Sequence, residues 1–126
     1  MIQTKRIIFR PWIESDAEEL FHLASDPDVG PRAGWQPHSS VEQSLEIIHT
    51  VFNSDHVWAL IQKDSNRLIG CMGYYDYSES NIGIDEGEAE VGYWIGKPFW
   101  NQGYYLSELY KGDERPVKIM RLDYSL

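Results

Sequence analysis

The sequence predicts a mixed α/β fold, with a mainly antiparallel sheet in its N-terminal part and two helices packed on it. Three observations lead there. Leu20, Phe21, Leu23 and Ala24, and further on Val41, Leu45, Ile48, Val51 and Phe52, recur at helical spacing and make two amphipathic segments. The apolar runs 56–61 and 68–75 flank the polar turn Asp64-Ser65-Asn66 and read as a hairpin. The chain has 126 residues, and five Trp, eight Tyr and four Phe supply its bulk, which suits one small core rather than two. A single domain over 1–126 is expected.

Taken in order, Lys5 to Pro11 mixes bulky apolar and basic residues and predicts a first strand, since Pro11 discourages a helix across it. Ser15 followed three residues later by Glu18 is a capping-box pattern and predicts a helix over 16–25, ending before Asp26-Pro27. Residues 26–38 hold Pro27, Gly30, Pro31, Gly34 and Pro37 and predict a loop, in which Arg32, Trp35 and His38 can line a ligand site or simply pack. Ser39 or Ser40 starts the second helix, over 40–53. In the hairpin, Gly70 and Gly73 predict a bulge or a close approach in the second strand, and Cys71 reads as packing material. Residues 76–90 carry six carboxylates without Lys or Arg and predict a solvated loop. Glu88 to Ile95 is a further strand, Leu106 to Tyr110 a helical turn, and 117–122 a last short strand.

Composition narrows the function classes. With 11 Lys and Arg against 20 Asp and Glu, the formal charge of -9 gives no broad footprint for nucleic acid or anionic membrane. The charge is uneven: residues 1–95 hold 16 acidic and 6 basic side chains, residues 96–126 hold 4 and 5. A lone Cys71 cannot make an intrachain disulfide, no Cys/His spacing suits zinc, and the start has no long apolar stretch, so a cytoplasmic protein is expected. His22, His49 and His56 stand in no arrangement that proposes a triad.

The most informative segment is 96–105, Gly-Lys-Pro-Phe-Trp-Asn-Gln-Gly-Tyr-Tyr, which follows a strand and precedes a helical start, an order that can aim backbone N–H groups at phosphate oxygens. Together with Thr4 to Pro11, Ser15-Asp16-Ala17, Asp26-Pro27-Asp28-Val29, Ile69-Gly70 and Glu90 to Gly96, it resembles the GCN5-related N-acetyltransferase (GNAT) superfamily, and within it the branch that acetylates protein amino termini. The ordered likeness covers 4–105.

The resemblance implies acetyl-CoA as cofactor, entering beside the strand at 88–95. Backbone groups near Val91, Tyr93 and Ile95 would hold the pantetheine or thioester end, and Asn101, Gln102, Gly103, Tyr104 and Tyr105 would approach the pyrophosphate. An amine-bearing small molecule or a protein N-terminus would attack the thioester directly, with Glu90 as candidate base and Arg32, Trp35 and Tyr74 as candidate acceptor contacts. Members commonly carry Gly near position 101 and a small residue near 105. Asn101 and Tyr105 here are expected to narrow the anion pocket and weaken CoA binding.

From 106 to 126 the chain departs from the family pattern. Lys111 to Pro116 stops any long helix, and the later strands and helices have no counterpart, so the chain looks truncated or altered after about residue 105. Three readings answer to this: an altered acetyltransferase sequence, a compact form completed by a homodimer, or a catalytically impaired binding or interaction protein. A strand at 88–95 lacking its usual neighbour needs a partner, from another chain or from 117–122.

Overall fold

The computed structural model describes residues 2–33, 35–75, 89–100, 102 and 117–119. Its elements are β1 (Ile2–Gln3), β2 (Ile7–Arg10), α1 (Ala17–Ala24), α2 (Gly30–Ala33), α3 (Val41–Thr50), β3 (Val57–Gln62), β4 (Arg67–Tyr75), β5 (Ala89–Ile95) and β6 (Val117–Ile119). The six strands form one sheet in the order β1-β2-β3-β4-β5-β6, antiparallel throughout except for the last pair, which is parallel. The expected mixed α/β fold, with its antiparallel N-terminal sheet and two main helices, is what the chain adopts. None of the described helices is long and apolar enough to cross a membrane.

The hairpin forms as the sequence predicts. Lys63 to Asn66 turn the chain, Asn66 donates to the Gln62 carbonyl at 2.8 Å, and Asn66 takes the positive φ of 56° that a short amide side chain tolerates. The bulge also falls in the second strand: Leu60 faces Gly70 while Ile61 faces Leu68, so Ile69 is the extra residue. Gly70 is required there, because a Cβ would stand 2.2 Å from the Trp94 carbonyl oxygen.

Three details differ from expectation. The first helix is entered through a 3-10 turn over Glu14–Asp16 and has Asp16, not Ser15, at its N-cap. The cause is charge: the Asp16 carboxylate accepts from the Ile13 backbone at 3.0 Å and from both Arg10 nitrogens at 2.7 and 2.8 Å, so the turn closes on the end of β2. The loop at 26–38 contains one helical turn, α2, followed by a Trp35 N–H donating back to the Gly30 carbonyl. The second long helix stops at Thr50, three residues short of the predicted end, although Ser40 caps its start by accepting from Gln43 N–H at 3.0 Å. The predicted solvated loop lies, up to residue 88, outside the described residues, as does the helical turn at 106–110.

Both long helices pack on one sheet face. Directly paired residues in an antiparallel ladder share a face, which puts Ala59, Cys71 and Trp94 together. Over that face lie α3 and the loop before it, and Leu23 of α1 packs against the backbone of Gly96. Ile7, Leu20, Leu60, Leu68, Ile69 and Ile95 are among the most completely buried side chains. The end of β5 therefore leaves the core between α1 and the hairpin, and this fixes where the following loop can go.

Candidate functional site

The geometry of the site starts with which way β5 points its backbone. Gly96 N–H donates to the Ile69 carbonyl at 2.8 Å. In an antiparallel ladder hydrogen-bonded pairs alternate, so the even-numbered residues of β5 face β4 and the backbone groups of Val91, Tyr93 and Ile95 face the opposite edge. Among the described residues, the parallel ladder on that edge covers Ala89–Val91 against Val117–Ile119. The neighbour that β5 needs thus comes from 117–119 of the same chain. Farther along, the Ile95 carbonyl accepts from the Trp100 indole at 2.7 Å.

The loop after β5 is anchored rather than loose. Gly96 leads into a 3-10 turn at Lys97–Phe99, with Pro98 inside its first turn. Phe99 is buried and lies 5.5 Å under the Arg67 guanidinium. Lys97 pairs with Asp28, tying this loop to the segment between α1 and α2. Gln102 accepts from Arg6 through its backbone carbonyl at 2.6 Å and donates through its side chain to the Pro98 carbonyl at 3.1 Å.

Between α3 and the sheet lies a cavity of about 390 Å³, within the ordinary range for small-molecule sites. Its floor is hollow for a reason written in the register: Gly73 faces Gly92 across β4 and β5, so two neighbouring positions carry no side chain. Val57, Cys71 and Trp94 surround that gap, and Ile47 of α3 closes it together with Val51 and Phe52, which follow that helix. Trp35 packs edge-on to Trp94 with centroids 5.5 Å apart and lies 5.3 Å from the His38 ring. Gln36, Gln43 and His38 are the polar groups of the wall.

His38 is buried, its N–H donates to the Ala24 carbonyl at 3.0 Å, and its Nδ1 lies 2.7 Å from the fully buried Ser44 hydroxyl. Burial lowers its pKa below the usual 6.5, so the ring is neutral. The Nδ1–hydroxyl contact engages one ring nitrogen with Ser44, and the imidazole contributes a neutral polar edge to the cavity wall. The Cys71 thiol is pushed up to about 12 by burial, against a smaller lowering by Trp12, which fits packing and not nucleophilic work.

The expected site residues are distributed as follows. Tyr93 and Ile95 are buried in β5 with their backbones toward the β6 edge, Val91 shares that backbone direction, and Gln102 is in the loop beyond. Glu90 pairs in register with Tyr75 and Lys118. Trp35 lines the cavity beside Tyr93, and Arg32 belongs to α2. Tyr74 is elsewhere: alternation along β4 puts it on the face opposite Cys71 and Gly73, packed on His56 and Trp58 with centroids 5.1 and 5.7 Å away. Asn101, Gly103, Tyr104 and Tyr105 lie outside the described residues. Gln43, Ile47 and the Gly73–Gly92 pair were missed by sequence reasoning; two glycines at matched positions of paired strands are the signal that could have found them.

Comparison with known proteins bears directly on this arrangement. Residues 6–111 match the model of the acetyltransferase (GNAT) domain. The chain is 27% identical over 109 residues to the uncharacterized N-acetyltransferase YoaA of Bacillus subtilis, covering 82% of this chain and 59% of that protein. It is 26% identical to the uncharacterized N-acetyltransferase p20 of Bacillus licheniformis, covering 82% and 58%. Among solved structures, a GNAT-family acetyltransferase from Bacillus anthracis superposes with a TM-score of 0.63 at 22% identity, over 86% of this chain and 60% of that one. A protein from Vibrio cholerae, provisionally named a ribosomal-protein-serine acetyltransferase, gives 0.62 at 22%, over 82% and 58%. The chain thus spans a little under three fifths of the curated relatives it matches.

Proposed function

Since the chain belongs to the GNAT acetyltransferase family, we propose that it transfers an acetyl group from acetyl-CoA to a primary amine by direct attack within a ternary complex. The observation that carries this reading is the pairing of two features on β5: the backbone groups of Tyr93 and Ile95 turned to one edge, and the cavity floor formed by Gly92, Tyr93 and Trp94. A donor lying along that edge and an amine held in the cavity would meet at the same strand.

The residues present fit acetyl-CoA in this respect. The ladder to β6 occupies Ala89–Val91, and Tyr93 and Ile95 aim the same kind of backbone group at the same edge beyond it. Acetyl-CoA supplies an activated acyl group when bound. The chain's own part is to hold and exclude: Tyr93 and Ile95 would position the thioester end, Gln102 with Asn101, Gly103, Tyr104 and Tyr105 would approach the pyrophosphate, and Trp35 and Trp94 would keep water from the amine. Glu90, directly or through a water, would take the proton that the attacking amine must lose.

A protein amino terminus is one acceptor of this kind, and the Vibrio cholerae structure of similar fold carries a name that places its acceptor in a ribosomal protein. Calorimetric titration with acetyl-CoA, followed by a CoA-release assay with peptide and small-amine acceptors, tests the proposal. Binding with amine-dependent release of CoA is expected. Absence of both would leave the chain as a GNAT-like binding module.

A further inference from the structure

We propose that the cavity between α3 and the sheet selects acceptors whose substituent near the amine is large, apolar and uncharged, such as an aryl or branched aliphatic group. This rests on the acetyltransferase reading for the identity of the reacting amine, but the selectivity itself follows from the wall. Among the described residues that line the cavity there is no Asp, Glu, Lys or Arg. A polyamine places a second ammonium several ångströms from the reacting one, and burying that charge without a carboxylate is unfavourable. The wall offers instead two indoles, Trp35 and Trp94, with Ile47, Phe52 and Val57 around them. Indole faces take an aryl group by offset or edge contact.

The polar part of the wall argues the same way. With Nδ1 engaged by Ser44, His38 gives the wall a ring that burial keeps neutral, so it supplies no charge to pair an ammonium. Protonating His38 would not help a cationic ligand, and burial opposes it. Gln43 already spends its side-chain oxygen on the Ser39 N–H and hydroxyl, at 2.5 and 2.9 Å, so that acceptor is not left for an ammonium. The site is therefore apolar and without charge, the complement of a neutral aryl or aliphatic substituent.

The probes are 2-phenylethylamine and 1,4-diaminobutane, titrated calorimetrically into the full chain at neutral pH, each with and without CoA. Phenylethylamine is expected to bind at least tenfold more tightly. Gln43→Glu keeps the acceptor used by Ser39 and places a carboxylate in the wall, so it is expected to tighten diaminobutane several-fold and to narrow the preference. Equal or tighter binding of diaminobutane by the unmodified chain, no binding of phenylethylamine in either condition, or an unchanged preference in Gln43→Glu would overturn the inference. The titration with acetyl-CoA alone reads the parent proposal separately: a chain that binds acetyl-CoA but does not prefer phenylethylamine loses only the selectivity.

Discussion

Arg10–Asp16 and His38–Ser44 both hold a polar side chain out of water, and they differ in what each leaves over. In the first, the Asp16 carboxylate is 4% exposed, and its oxygens take two guanidinium bonds and the Ile13 N–H. Arg10 adds a bond to the Pro11 carbonyl at 3.0 Å, and donating to the Asp16 carboxylate raises its pKa against the opposing effect of burial. Three of the guanidinium's five N–H groups and both carboxylate oxygens hold the end of β2 to the start of α1. In the second, Ser44 uses one imidazole nitrogen, and the ring lines the cavity. A polar network closed on itself fixes backbone; one that brings a polar ring to a hollow wall is where a ligand can be read.

The sharpest way to break this comparison is Asp16→Ala. It strands a partly buried guanidinium and unties the 3-10 turn, and a loss of about 3 kcal/mol is expected from removing one partner of such a pair. Urea denaturation would measure it. A loss below about 1 kcal/mol would mean that water already satisfies Arg10 and that the corner is not closed. Next comes Gly73→Ala. A Cβ there would stand 3.2 Å from the His56 carbonyl oxygen and from Val57 Cγ2, which is tight without being prohibitive, so about 1 kcal/mol should be lost. Because the methyl also fills the Gly73–Gly92 hollow, phenylethylamine affinity should fall with it. Stability lost with affinity intact would move the ligand away from that floor.

What was legible in the sequence follows from the range of the forces involved. The hairpin, the bulge beside Gly70 and the Ser40 cap depend on neighbours within a few residues, and each was readable from composition and spacing. Asp16 was hidden behind a stronger local pattern, since Ser15 with Glu18 spells a capping box and only the position of Arg10 across the turn explains why the Asp16 carboxylate turns back to Arg10 and the Ile13 N–H. Trp35 and His38 were legible as candidate lining residues, but their partners Trp94 and Ser44 required the register of β5 and the phase of α3. Tyr74 illustrates the same limit. It is adjacent to Gly73 in sequence, yet the two-residue period of a strand turns it to the other face.

A smaller effect should appear in the pH dependence of stability. Burial lowers the His38 pKa in the folded chain, whereas the unfolded chain titrates near the usual 6.5. Below about 6.5 the unfolded state binds a proton that the folded state refuses, so stability that is fully present above that value is lost as pH falls toward the folded pKa. His38→Gln keeps polar atoms near Ser44 and removes the titration. Denaturation at pH 7.5 and pH 5.5 should show a smaller acid loss in the variant than in the parent. Equal losses would show that His38 is not the source of the acid sensitivity.

The smallest effect is expected at His49, which makes the comparison three-way. His49 Nε2 lies 2.9 Å from Glu14 Oε1, close to the 2.7 and 2.8 Å of the buried pairs, but the two side chains are 50% and 77% exposed. Water competes for both groups and salt screens them, so the contact should contribute no more than about 0.5 kcal/mol. His49→Ala should therefore shift the denaturation midpoint slightly at low ionic strength and hardly at all in high salt, with phenylethylamine affinity unchanged. A large, salt-independent loss would show that distance alone had ranked these contacts correctly, and that burial is not what separates the closed corner and the open wall from an ordinary surface pair.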